Sequence, residues 1–127
     1  MRTISLTQLA QFTACQNRID EFRVRTGEER EITREFVKTY YFYPWTWAGK
    51  NLLSEEYAEE FIRVREQFIE EHKENARGKS ISERRKLRKL LRSRIALLFC
   101  ELYNDIYDFK LGELSPESVA KLEEKDE

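Results

Sequence analysis

Side chains capable of chemistry are few in this chain. His72 is the only histidine, and no other His or Cys stands at ligand spacing from it, so no transition-metal site is expected. Cys15 and Cys100 lie far apart and form no metal or redox motif. Cys15 falls near an expected helix N-terminus, a position that lowers a thiol pKa. A small apolar residue at a helix junction is the plainer reading, because free cysteine is among the most buried residue types. Glu55/Glu59 and Glu56/Glu60 have the spacing of paired carboxylates, but without a pocket such pairs are solvated helix faces. No Gly-rich phosphate loop, nucleophile elbow or Walker motif is present. The expectation is a non-enzyme with no catalytic residue, no metal and no cofactor.

Two features remain that could bind rather than react. The segment from Tyr40 to Trp47 places six aromatics in eight positions. Consecutive helical positions point about 100° apart, so they cannot all face one core. Trp45 and Trp47 read as core anchors where helices meet. Tyr40, Tyr41 and Tyr43 are the candidate contact surface, since exposed aromatics anchor protein interfaces and also stack on unpaired bases. The second feature is cationic. Arg77 to Arg94 carries nine Lys/Arg against one Glu, and Arg85, Lys86, Lys89 and Arg92 are the candidate nucleic-acid contacts. A competing reading is that a neighbouring acidic helix neutralises the run. Arg94 interrupts an apolar stripe between Leu91 and Leu98 and is expected to extend its stem toward a carboxylate.

Helices must position both features. Ser5-Leu6-Thr7-Gln8 has the form of a capping box. A helix follows from about Cys15, with Ile19, Phe22 and Val24 inward and Gly27 as its stop; Glu28 to Glu31 reads as a charged connector. Thr33 caps a helix carrying Phe36, Val37, Tyr40 and Tyr41. Pro44 ends it and opens the next, through Trp45, Ala48, Leu52 and Leu53. Ser54 with Glu55 and Glu56 starts a long helix whose Tyr57, Phe61, Val64 and Phe68 form a heptad-like stripe, widened by Ala58, Ile62 and Ile69. Gly78 ends it. Ser80-Ile81-Ser82-Glu83 caps another long helix, expected to reach about Phe109 before Gly112 stops it. Ser115-Pro116-Glu117 begins a short final helix.

The short connector at Gly78 predicts an antiparallel hairpin. In that register Glu74 faces Arg84, Glu70 faces Arg88 and Glu66 faces Arg92, so acidic and basic halves would meet. The fold class expected is all-α: short N-terminal helices (about 5–53) packed on a long hairpin (about 54–110), then a short helix and tail (about 115–127), as one domain. The composition agrees. The chain has 127 residues with 4 Gly and 2 Pro, enough to bury roughly 65–70% of its unfolded surface and poor in turn formers. Charged residues make up 37% and the net charge is −1, so any electrostatic function rests on local patterning. The longest apolar run, Ile95 to Cys100, is too short for a bilayer, and a cytoplasmic protein with reduced thiols is expected.

The N-terminal half resembles an uncharacterised family of small bacterial and bacteriophage proteins. The matching residues are Ile4, Leu6, Ala14-Cys15, Ile19, Phe22, Gly27, Ile32-Thr33, Trp45-x-Trp47-Ala48, Leu52-Leu53 and Glu56-Tyr57. Thr46, Gly49 and Arg18 depart from that pattern, where Asp, Ala and Gln are usual. The resemblance covers residues 4–70. It implies a phage or mobile-element setting and supplies no catalytic residue.

Three functions are therefore in play. The first is a non-enzymatic protein-binding module of phage type, a design that suits an inhibitor of a host-defence complex. The second is nucleic-acid binding through the helix Arg84–Arg94. The third is a structural or assembly protein that self-associates through its hairpin.

Overall fold

The computed structural model describes residues 2–5, 7–8, 16–27 and 29–106. Its elements in chain order are β1 (Thr3–Ser5), α1 (Gln16–Thr26), β2 (Glu29–Glu31), α2 (Arg34–Thr39), α3 (Trp45–Asn51), α4 (Glu55–Ala76) and α5 (Ile81–Tyr103). The chain is mostly helical, as an all-α bundle would be, with one small sheet that was not expected. β1 and β2 form a two-stranded antiparallel sheet with Ile4 opposite Arg30. Glu29–Glu31, expected to be a connector, is therefore a strand. It has no alternating apolar pattern, and its pairing depends on a partner distant in sequence.

The helix boundaries follow local chemistry. Ser5 Oγ accepts from Gln8 N at 3.1 Å, Thr33 Oγ1 from Phe36 N at 3.0 Å and Ser80 Oγ from Glu83 N at 3.2 Å. Each satisfies a backbone donor that a helix start leaves unpaired. Gly27 ends α1 with φ 86°, a left-handed conformation that costs glycine little. The helix expected to run to Phe109 ends earlier, at Tyr103. Asp105 adopts φ 58°, Asp105 N donates to Leu102 O, and Ile106 N donates to Glu101 O. That pair of bonds is a Schellman stop, and Asn104 Nδ2 reinforces it by donating to Cys100 O at 2.8 Å. The final helix expected after Ser115, Phe109 and Cys15 lie outside the described residues.

The core is built around the second half of α5. Ile95, Ala96, Leu98, Phe99, Cys100, Leu102 and Tyr103 are all buried. Burial on nearly every side of a helix marks it as the central element. Ile32, Phe36, Val37, Trp45, Ala48, Phe61 and Val64 pack on it. Gly49 of α3 meets the Phe61 ring of α4 so closely that a Cβ there would overlap the ring. That approach is the physical reason for glycine at this position. The sheet is tied to the end of α5: Tyr103 OH donates to Thr3 O at 2.7 Å, Arg2 N donates to Asn104 Oδ1 at 2.8 Å, and Arg2 pairs with Asp105 at 3.1 Å.

The far halves of α4 and α5 behave differently. None of residues 65–94 is buried. Phe68, His72 and Asn75 on α4 and Leu87, Leu90, Leu91 and Arg94 on α5 line a small crevice between the two helices. Arg94 lies over the Phe68 ring at 3.9 Å and pairs with Glu71 at 2.6 Å, as a stem extended toward a carboxylate would. The expected matching of Glu74, Glu70 and Glu66 with Arg84, Arg88 and Arg92 does not occur. These glutamates pair on their own helix, Glu74 with Arg77, Glu70 with Lys73 and Glu66 with Arg65. The first two pairs are three residues apart, within reach along a helix, the third is adjacent in sequence, and nothing buries the charges against the facing helix. Val24 and Ile62, expected inward, are 84% and 39% exposed.

Candidate functional site

The aromatic block is held by its own backbone. After Thr33 caps α2, the helix gives way at Tyr40 to a turn in which Tyr40 O accepts from Tyr43 N at 3.1 Å. The same carbonyl accepts from Trp45 Nε1 at 2.8 Å. Residues 40–45 are thereby pinned, and Pro44 leads directly into α3. Trp45 enters the core with its ring 5.3 Å from Phe99. Positions 47, 50 and 51 follow one another on one face of α3, three and four residues apart, and present Trp47, Lys50 and Asn51 together. On α5, Lys89, Arg92 and Ile95 recur every three residues and face the same region.

Between these elements lies a cleft of about 520 Å³, lined by Tyr41 to Trp47, Lys50, Asn51, Arg92 and Ile95. Its size falls within the range of small-ligand sites. Two cations and no carboxylate line it. Lys89 Nζ stands 5.3 Å from the centre of the Tyr41 ring, a cation–π contact that joins the basic helix to the aromatic block. Two sets of residues separated by half the chain therefore meet in one place.

Each expected residue has a definite position. Tyr40 and Tyr43 are half-buried and stacked on each other at 5.0 Å, with Tyr40 also against Phe36 at 4.9 Å. Tyr41 is half-buried and lines the cleft. Arg92 is exposed and lines the cleft, whereas Arg85 and Lys86 are exposed farther along α5. Lining residues missed by the sequence reading are Phe42, Lys50 and Asn51. Trp47, expected as a core anchor, packs against the core while remaining half-buried on the cleft wall, and its ring has no ring partner among the described residues. The spacing 47, 50, 51 was the available signal.

Apart from Arg94, which pairs with Glu71, the cations of α5 are free of the neighbouring helix. Among the described residues, Arg84, Arg85, Lys86, Arg88, Lys89 and Arg92 form no ion pair. Residues 65–94 carry eleven Lys/Arg against five Glu, while the rest of the chain carries twelve against nineteen carboxylates. The basic face is thus concentrated on the part that contains no buried residue.

One titrating group lies elsewhere. Burial pushes the Glu101 carboxyl up to about 7, with Arg34 drawing it part of the way back. Cys100 is fully buried, and its thiol donates to Ile32 O at 3.8 Å. Among the described residues, no three His, Cys, Asp or Glu side chains gather as a metal site, and no helix is long and apolar enough to cross a membrane. Comparison with protein-family models, curated proteins and solved structures finds no match.

Proposed function

We propose that this chain is a non-enzymatic nucleic-acid-binding protein that holds phosphates on α5. The observation that carries this reading is the unpaired cationic face from Arg84 to Arg92. Cations in the first turns of a helix oppose its dipole by about 0.3–1 kcal/mol each. The glutamates of α4 do not offset them, and a polyanion would. The α4–α5 pair acts in this reading as a helical hairpin that extends the basic face away from the acidic remainder of the chain.

Fluorescence anisotropy with a labelled single-stranded oligonucleotide at several salt concentrations tests it. Four to six phosphate contacts give a log–log salt slope of about −3 to −4. Charge reversal at Lys86 and Lys89 abolishes binding at physiological salt and leaves the circular dichroism unchanged. Absence of binding at low salt would remove the proposal.

A protein partner is the second reading, favoured by Phe42, which is 42% exposed beside Tyr41. The partner would offer an acidic surface to Arg92 and Lys50. In the phage or mobile-element setting implied by the Trp45-x-Trp47-Ala48 resemblance, an inhibitor of a host complex is its concrete form. Capture of a protein from lysate that depends on Tyr41 and Phe42, with no oligonucleotide binding, would select it. Self-association through the hairpin has weaker support, in Ile81 and Leu90, 64% and 55% exposed.

A further inference from the structure

The cations of α5 alone would hold any phosphate backbone, single or double. The cleft at their inner end adds a demand that a duplex cannot meet. We infer that the cleft takes one unpaired base from a single strand, stacked on Trp47 and Tyr41, with the adjoining phosphate on Arg92 and Lys50. This rests on the nucleic-acid reading above and deepens it.

Four observations converge on it. The cleft is continuous with the basic face, since Arg92 lines it and Lys89 sits over Tyr41. A strand tracking α5 therefore arrives at aromatic walls. The pinned turn at Tyr40 sets those walls before any ligand arrives, so little ordering cost falls on binding. Trp47 differs from Trp45. The Trp45 ring is already engaged by Phe36, Tyr43 and Phe99, whereas the Trp47 ring meets no other ring among the described residues and remains half-buried. Finally, Asn51 lines the cleft with its Nδ2 held on Trp47 O at 2.9 Å, and its amide oxygen is an acceptor suited to the edge of a base. Paired bases are enclosed in their stack and offer no face to such a cleft, so discrimination is for single strands.

The experiment uses the intact chain and three probes with the same number of phosphates per strand: an oligothymidine, an abasic strand and a duplex. The base-stacking contribution predicts that the oligothymidine binds at least about tenfold more tightly than the abasic strand. Trp47 fluorescence should be quenched by the oligothymidine and not by the abasic strand. Tyr41→Leu, at the rim, should bring the oligothymidine down toward the abasic affinity while leaving abasic binding unchanged. Trp47→Leu should do the same if circular dichroism shows it folded. Equal affinity for the three probes, lost on Lys86→Glu with Lys89→Glu, would overturn the base pocket and leave the phosphate reading standing. Failure to bind any probe would overturn both.

Discussion

Two parts of this molecule made from the same two helices contrast sharply. The inner part of α5 is buried on almost every side, whereas residues 65–94 contain no buried side chain. The inner part is held by packing: Phe61, Phe99 and Leu102 are fully enclosed. The outer part is held by a half-buried seam and one ion pair between helices, Arg94 with Glu71. It also carries the positive charge. Apolar burial makes the inner part a scaffold. Its absence leaves the outer part free to present charge, because cations stay hydrated and available only where little is buried around them.

The strongest way to break this contrast is to truncate matched side chains. Phe61→Ala should cost about 3–5 kcal/mol in urea denaturation. Leu87→Ala, on the half-buried seam, should cost less than about 1.5 kcal/mol, because part of its surface already faces water. Comparable losses would mean that the outer seam is as tightly packed as the core.

A smaller effect is expected at the closest helix contact. Gly49→Ala should cost about 1–3 kcal/mol, since the Phe61 ring must give way to the added methyl. A neutral substitution would mean that α3 and α4 separate easily.

Acidity sharpens the comparison within the inner part. The folded chain binds the Glu101 proton more tightly than the unfolded chain, whose carboxyl titrates near 4.5. The Glu101 contribution to stability is therefore fullest below pH 4.5, falls as pH rises toward 7 and is constant above it. Glu101→Gln should flatten that part of the profile and raise the urea midpoint at pH 8. Parallel profiles for the two proteins would contradict burial as the cause.

The smallest effect belongs to the outer part. Arg94→Ala removes both the Glu71 pair and the contact over Phe68, yet should cost only about 1 kcal/mol, because both partners are partly exposed. Hydrogen exchange should show amides of residues 70–90 opening before those of 95–103 in the wild type, and Arg94→Ala should widen the difference.

Much of this was legible in single residues. Thr33, Ser54 and Ser80 announced helix starts because a hydroxyl beside an unpaired amide acts over three residues. Asn104-Asp105 was an equally local stop signal, but the apolar pattern running on toward Phe109 concealed it. Tyr41 and Arg92 were each visible as candidates. Their meeting in one cleft was not, because no spacing rule relates a turn near residue 41 to the middle of a helix fifty residues later.

The amino-acid order by itself determined the helices, their caps, the apolar stripe and the uneven distribution of charge, since these arise from neighbours within one turn. Tertiary structure alone decided which part of each stripe is enclosed, that Glu29–Glu31 pairs as a strand, and that the glutamates of α4 leave the cations from Arg84 to Arg92 unpaired. The physical reason is range: capping and periodicity act over three or four residues, whereas burial and ion pairing between elements depend on where distant segments come to rest.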